Sequence, residues 1–450
     1  MDIAALIPTL GSTAFTVLAF IVALSIIVAV HEYGHYIVGR WSGIKAEVFS
    51  LGFGPVLWSR NDRHGTRWQI AAIPFGGFVK FLGDANAASV GGDDEVYSHL
   101  NDEERRHTMT GAPLWARAAT VAAGPVFNFI LSIIVFTGVI LTQGEAREPL
   151  TVGSLRPLPA EVQELRPGDE LIAIAGAELP GPDAAPGALD AFTDAIPLEP
   201  TLDYRIRRDG AEITVPGPYP NPPIVTRLAP QSAAFAIGLE VGDVITAIDG
   251  TPIFAFQQLK ERVETGEGKP LLLKVWRAGT LKDFTLVPRR TDEPQPDGGF
   301  LTVWRIGIAG GMFFEPATET PGLGTSAWGG AKQTWRIVTG SLSGLWHMVV
   351  GNISACNMSG PIGIAQVSGQ MASQGGESFI WFIAVLSTAV GLLNLFPIPV
   401  LDGGHLVFYG YEAVAGKPPS EKALRVLMAI GLTLVLSVMI FALSNDLFCP

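Results

Sequence analysis

Only two of the 450 residues are cysteine, Cys356 and Cys449. That scarcity excludes a disulfide framework and any zinc site built from cysteines, and it leaves open whether the two pair. Charge is also thin: 16% of residues are Asp, Glu, Lys or Arg, with acids in excess to give a formal net charge of −12. A chain so poor in positive charge lacks the electrostatic footprint of a nucleic-acid binder. What fills the space is apolar: 48% of the residues are hydrophobic and the mean hydropathy is +0.34. Together these values point to a membrane protein with a substantial water-exposed part.

Four runs are long and uncharged enough to cross ~30 Å of hydrocarbon, which takes about 20 residues. The first begins at Ala14 with "AFTVLAFIVALSIIVAV"; the others lie between Arg117 and Glu145, Glu377 and Asp402, and Arg425 and Asp446. No Lys or Arg precedes the first run and no A-x-A site follows it closely, so it reads as a retained span and not a signal peptide. Basic residues gather between spans one and two, from Arg40 to Arg117, and between spans three and four at Lys417, Lys422 and Arg425. The positive-inside rule therefore predicts both termini outside, those two links inside, and residues 147–377 outside.

The outer segment repeats itself. "ELRPGDELIAIAGAEL" (164–179) aligns with "GLEVGDVITAIDGTPI" (238–253), matching Gly168, Asp169, Ile174 and Gly176 to Gly242, Asp243, Ile248 and Gly250. Each copy has a Gly-Asp turn, an alternating strand, a second glycine turn and then a basic hairpin. "FQQLKERVET" in the second copy has helical spacing, whereas "PGPDAAPGALD" in the first reads as an insertion. The pattern resembles the PDZ domain in its permuted bacterial form, more closely in the second copy. Domains of that kind bind extended segments by strand addition, against the plainer reading of inert spacers. A linker near "TDEPQPDGG" follows, then Trp335, Val338, Leu342, Leu345, Trp346 and Val349 on one face of a helix suited to a membrane interface.

The polar exception in the first span is "VAVHEYGHYIV". On a helix, His31 and His35 stand one above the other, able to chelate one Zn²⁺ with Glu32 beside it as a general base. A chance pattern is the alternative, but two imidazoles and a carboxylate at the end of an apolar span are costly without a purpose. A catalytic zinc needs a third protein ligand. The inner end of span three, "GLLNLFPIPVLDGGH", offers Asp402 and His405. Pro397 and Pro399 break the helix just before them, as backbone lining a cavity permits. Asn394 in the same run is placed to donate to a substrate carbonyl.

HEYGH in a first span, "NLFPIPVLDGG" in a third and the outer repeats between them resemble the site-2 protease family of intramembrane zinc metalloproteases, over nearly the whole chain. The resemblance implies zinc ligands His31, His35 and Asp402, Glu32 as catalytic base, and substrate-facing Asn394, Pro397 and Pro399. "AGPVFN" resembles the family's Gly-Pro-x-x-Asn element (Gly124, Pro125, Asn128), with Asn128 assigned to the substrate-binding set. "QIAAIPFGGFVKFLGD" resembles its membrane-associated β-hairpin, in which Gly76, Gly77 and Phe78 capture an unwound substrate strand. The expected architecture is a polytopic α-helical membrane protein of four spans, with that hairpin between the first two and tandem PDZ (α+β) domains between the second and third. Its parts are a membrane half at 1–146, PDZ-like copies at 147–221 and 222–291, a linker with an interfacial helix at 292–377, and a second membrane half at 378–450.

The implied activity is cleavage of single-span membrane proteins within the bilayer, an anti-sigma factor above all, and of remnant signal peptides, in a bacterial inner membrane. The active site would lie near the cytoplasmic side and the PDZ copies in the periplasm. Two rivals remain at this level. One is an inactive PDZ membrane scaffold; the other is a transporter, whose inverted repeat is not visible in this sequence.

Overall fold

The computed structural model describes residues 3–84, 101–159, 162–181, 188–295 and 299–449. Residues 182–187 of the insertion and 296–298 of the linker fall outside them. The chain forms two compact units, Met1–Val139 with Leu323–Pro450, and Ile140–Gly322.

Among the described residues the longer helices of the first unit are α1 (Ile3–Trp41), α2 (Leu114–Gln143), α3 (Leu323–Val349), α4 (Pro361–Ser373), α5 (Gly376–Asn394), α6 (Asp402–Ala415) and α7 (Glu421–Phe448). Among the described residues, α1, α2, α5 and α7 are the helices long and apolar enough to cross a membrane, as the hydropathy predicts. Large apolar side chains stay exposed along them, such as Leu18, Ile134 and Ile440, as lipid-facing surface requires. Where helices meet, small and hydroxylated residues allow close approach. Ser132 and Ser387 donate to the carbonyls of Ala384 and Asn128 at 2.8 and 2.9 Å, and Gly391 sits against the backbone of Pro125.

Between α1 and α2 the expected hairpin, β1 (Ala46–Asn61) and β2 (Arg67–Phe81), is more than a hairpin. Both strands bend, so residues 46–51 pair on one side with 77–81 and on the other with 67–70, while 56–61 pair with 67–71. The product is four strand segments wide, joined by three ladders, with 77–81 as one edge among the described residues. Gly52 sits at the bend at φ +90°, where a Cβ would lie 2.8 Å from the Ile73 carbonyl oxygen. Tyr36, Phe49, Val79, Phe81 and Ala116 form the core under this sheet, with Leu406 and Tyr409 packed against it.

At the far end of the unit, Cys356 and Cys449 form a disulfide. Beside it the Asp446 carboxylate accepts hydrogen bonds from the amides of Gly360, Ile362 and Gly363, capping α4 from α7. Helix α3 buries Ser326, Gly330 and Thr334, with Gly330 against Ile133 and Thr137 of α2, and leaves Trp328, Trp335 and Trp346 exposed.

The second unit bears out the repeat as structure. The strands are β3 (Glu145–Ala146), β4 (Val152–Leu155), β5 (Glu170–Ile174), β6 (Ala177–Glu178), β7 (Thr201–Arg208) and β8 (Ala211–Pro218). They continue as β9 (Arg227–Leu228), β10 (Val244–Ile248), β11 (Thr251–Pro252), β12 (Leu271–Arg277) and β13 (Thr280–Leu286). One sheet has the order β6-β5-β7-β8 and the other β11-β10-β12-β13, the same path twice. The helix Phe256–Thr265 forms as its spacing predicts, and Ala188–Ala195 is a helix in the first copy.

The aspartate of each Gly-Asp turn is 1% exposed and gripped by an arginine from the basic hairpin. Arg208 holds Asp169 with two 2.7 Å bonds, and Arg277 holds Asp243 at 2.6 and 2.7 Å. Burial pushes the Asp169 carboxyl up, but the Arg208 hydrogen bonds outweigh it and leave it below its ordinary value.

The segment read as a linker is largely strand: β14 (Arg289–Pro294), β15 (Phe300–Arg305), β16 (Ile308–Ala309), β17 (Phe314–Pro316) and β18 (Thr318–Glu319). β16 pairs with β9, β17 with β4 and β18 with β3. Each copy thus takes a strand from beyond residue 300, so the boundaries 147–221 and 222–291 each leave out a piece. Phe313 and Phe314, 1% and 2% exposed, complete the first copy's core beside Tyr204.

Candidate metal centre

The C-terminal end of the first span and the turn that follows the third do meet. His31 and His35, on successive turns of α1, face Asp402, the first residue of α6. His31 Nε2 lies 3.2 Å from Asp402 Oδ2 and 3.2 Å from His35 Nε2, and His35 Nε2 lies 3.6 Å from Asp402 Oδ2. Among the described residues this trio forms the metal-competent group, its donor atoms all within 4.8 Å of one another. His405, the other sequence candidate, is outside that group and stacks edge-on with Phe408.

Three features show that the trio fits a cation. Asp402 Oδ2 is buried without a hydrogen-bond partner, although both Nε2 atoms are near: three lone-pair atoms converge with nothing to share. Four-coordinate zinc with bonds of ~2.0–2.1 Å spaces its ligand atoms about 3.3 Å apart, close to the separations found here. The remaining ring nitrogens are occupied. His35 Nδ1 is 2.9 Å from the Thr120 carbonyl, which can only accept, so its proton sits there and Nε2 presents a lone pair. His31 Nδ1 is 3.2 Å from the side-chain nitrogen of Asn128, whose Oδ1 is buried without a hydrogen-bond partner. Turning that amide over sets Oδ1 against Nδ1–H and frees His31 Nε2 in the same way.

Helix α2 is therefore the backing of the site. Thr120, Gly124 and Asn128 follow one another at i, i+4 and i+8 on one face. A Cβ on Gly124 would stand 2.3 Å from His35 Nε2 and 2.8 Å from His31 Cε1, so the imidazoles lie directly on that glycine. Asn128, given to the substrate-binding set by the resemblance, is fully buried behind His31, with its amide placed to orient that ring. Thr120 carries no sequence signal beyond the i+4 stripe, because its working atom is a carbonyl oxygen.

Glu32 lies beside the trio. Its carboxylate takes a backbone hydrogen bond from Val79, and a Cβ on Gly77 would be 3.0 Å from its Cγ. The edge strand 77–81 thus runs past the candidate base. Gly76, at φ +153°, leaves no room for a Cβ beside Phe53. The tip of the sheet is tied back to α1: Asp62 accepts from Tyr36 Oη at 2.8 Å, from Trp68 Nε1 at 3.2 Å, and from the amides of His64 and Thr66. Burial pushes this carboxyl up, and those donors outweigh it to bring it to about 2.

Between α5 and α6, residues 395–401 are non-helical and contain Pro397 and Pro399. A Cβ on Gly403 would be 2.3 Å from the carbonyl oxygens of Leu395 and Phe396, so α6 turns back tightly under this link. Asn394 ends α5, half-buried, with Nδ2 donating to the Val390 carbonyl at 3.0 Å.

Comparison with known proteins gives a consistent result. The model of peptidase family M50 matches residues 19–438. A candidate zinc metalloprotease of Rhizobium meliloti is 38% identical over 442 residues, covering 97% of this chain and 98% of the relative. A second, from Agrobacterium fabrum, is 36% identical over 434 residues, covering 96% and 95%. The regulator of sigma-E protease of Salmonella typhimurium is 33% identical over 458 residues, covering 95% and 97%.

Proposed function

Because the chain belongs to peptidase family M50, and is accordingly a zinc metalloprotease of the membrane, we propose that it is an intramembrane endopeptidase acting on single-span membrane proteins. The observation that carries this reading is a His-His-Asp cluster with a glutamate beside it at the end of an apolar span. His31, His35 and Asp402 would hold the zinc, which when bound supplies Lewis acidity to a scissile carbonyl and to water.

The chain's own residues do the rest. Glu32 takes the water proton and passes it to the leaving amine. Thr120 and Asn128 keep both imidazoles aimed. A helical substrate hides its peptide bonds in its own hydrogen bonds and must be unwound to be cut. The Val79 and Phe81 amides of the edge 77–81 already donate to Glu32 and Asp84, so it is the backbone around Gly76, Gly77 and Phe78 that is offered to that extended strand. Asn394, Pro397 and Pro399, beside the metal ligand Asp402 in sequence, are assigned to the substrate side of the site.

The second unit is read as two PDZ-like domains that screen substrates outside the membrane. The disulfide between Cys356 and Cys449 favours an oxidising, outer side for the end of α7, in keeping with the basic residues that place the opposite ends of the spans inside. An anti-sigma factor and remnant signal peptides are the substrates this arrangement suits, in an inner bacterial membrane. The test is to reconstitute the protein with a single-span model substrate and map the cut by mass spectrometry. A cut inside the apolar segment is expected; cuts confined to the water-exposed flanks would refute the reading.

A further inference from the structure

Asp402 differs from the two histidines in how it is held. His31 and His35 share one continuous helix, so their spacing is set by its pitch. Asp402 starts a new helix, and the link before it, residues 395–401, contains two prolines and no regular ladder of hydrogen bonds. Close packing of Gly403 on the Leu395 and Phe396 carbonyls anchors the start of α6, so what remains to be set is the direction of its axis and with it the aim of Asp402. Packing of Leu406 and Tyr409 on the core is apolar and non-directional, so it restrains α6 without setting that direction.

One directional contact does. Arg117, in the first turn of α2, reaches Glu412 in the last turn of α6, 295 residues away in sequence. Nη1 donates to Oε2 at 3.0 Å and Nη2 to Oε1 at 2.6 Å, a fork-to-fork pair. Both side chains are largely buried, at 15% and 17% exposed, and the guanidinium also lies 5.2 Å over the Tyr409 ring. Arg117 stands one turn before Thr120, on the face of α2 that continues through Gly124 to Asn128. We propose that Arg117 and Glu412 are positioning residues that set the third metal ligand against the other two. One face of α2 then holds all three: Asn128 holds His31, Thr120 holds His35, and Arg117 holds the helix that carries Asp402.

This inference rests on the reading of His31, His35 and Asp402 as the metal site, and its test separates the two. Full-length protein in detergent is loaded with Co²⁺, whose absorption bands report ligand geometry, and separately with Zn²⁺, whose release to a chelator is timed. Arg117→Lys keeps the charge but not the fork. Arg117→Lys and Glu412→Gln should each shift the Co²⁺ bands and release zinc roughly tenfold faster or more, the range in which outer-sphere partners act. The exchange Arg117→Glu with Glu412→Arg should restore both readouts. Asp446→Asn, at the opposite end of α7, weakens the fold elsewhere and should keep the parent's bands and release rate. Parent-like bands and release in Arg117→Lys or Glu412→Gln would overturn the proposal. A parent that binds neither metal would instead overturn the metal-site reading.

Discussion

Adding one methyl group at Gly124 is the sharpest steric probe of the candidate centre. The new Cβ would fall 2.3 Å from His35 Nε2, 2.6 Å from its Cε1 and 2.8 Å from His31 Cε1. Carbon atoms in comfortable contact sit ~3.5–4.0 Å apart, so the overlap exceeds ~1 Å with the His35 ring and is ~0.7–1.2 Å with the His31 ring. Helix α2 cannot simply retreat, because Ser132 and Ser387 tie it to α5 at 2.8 and 2.9 Å. The rings must move, and moving them breaks the contacts with Thr120 and Asn128 that aim their lone pairs. Overpacking of this kind costs ~1–3 kcal/mol, which is about tenfold to hundredfold in zinc affinity. Gly124→Ala should therefore lose zinc to a chelator in that range, although alanine is the better helix former by about 1 kcal/mol. Gly138→Ala on the same helix, where a Cβ meets nothing within 4 Å, supplies the control and should bind zinc as the parent does. Equal zinc affinity in Gly124→Ala and Gly138→Ala would refute the placement of both imidazoles against this helix face.

Gly77→Val places atoms against Ser50, Val28 and Glu32, so it should abolish substrate cleavage while zinc content stays at one per chain; cleavage at the parent rate would argue against the edge strand as the docking site. Asp243→Ala leaves Arg277 without its buried partner and should destabilise the second unit by about 3–5 kcal/mol in chemical unfolding. Asp446→Ala removes the acceptor for three amides at the start of α4 and should lower the melting temperature by an amount equivalent to ~1–2 kcal/mol, with zinc retained. Asp62 has a folded pKa of about 2 against ~3.9 when unfolded, so its stabilising contribution is present above ~3.9 and is lost as pH falls through about 2. The melting-temperature gap between parent and Asp62→Asn should accordingly be widest above pH ~4 and close toward pH ~2.

What was legible in the sequence followed from local periodicity. The four spans announce themselves by length and hydropathy, and His31, Glu32 and His35 by helical spacing at the end of one of them. The topology then brought the inner ends of spans one and three together and narrowed the third ligand to Asp402 or His405. Only the turn of the chain through 395–401 decides between those two, and that is a tertiary matter.

Contacts between distant segments left weaker traces. β16, β17 and β18 are two or three residues long, too short to alternate, so the strands that complete both repeats read as linker. β1 and β2 each make ladders on both sides because they bend, and a lone glycine such as Gly52 does not announce a sheet of four segments. Arg117 and Glu412 look like ordinary charges flanking a span and following a turn. Cys356 and Cys449 could be counted but not joined. Asn128 was visible as part of a motif, but its burial behind His31 was not.

The central claim is that the His-His-Asp cluster with Glu32 beside it hydrolyses peptide bonds in the membrane. It is tested most directly by incubating a single-span substrate with the purified parent and with Glu32→Gln, the zinc content of each being determined. Cleavage by the parent alone, with one zinc in both proteins, is the expected result. Cleavage by Glu32→Gln at the parent rate, or by a parent stripped of metal, would contradict it.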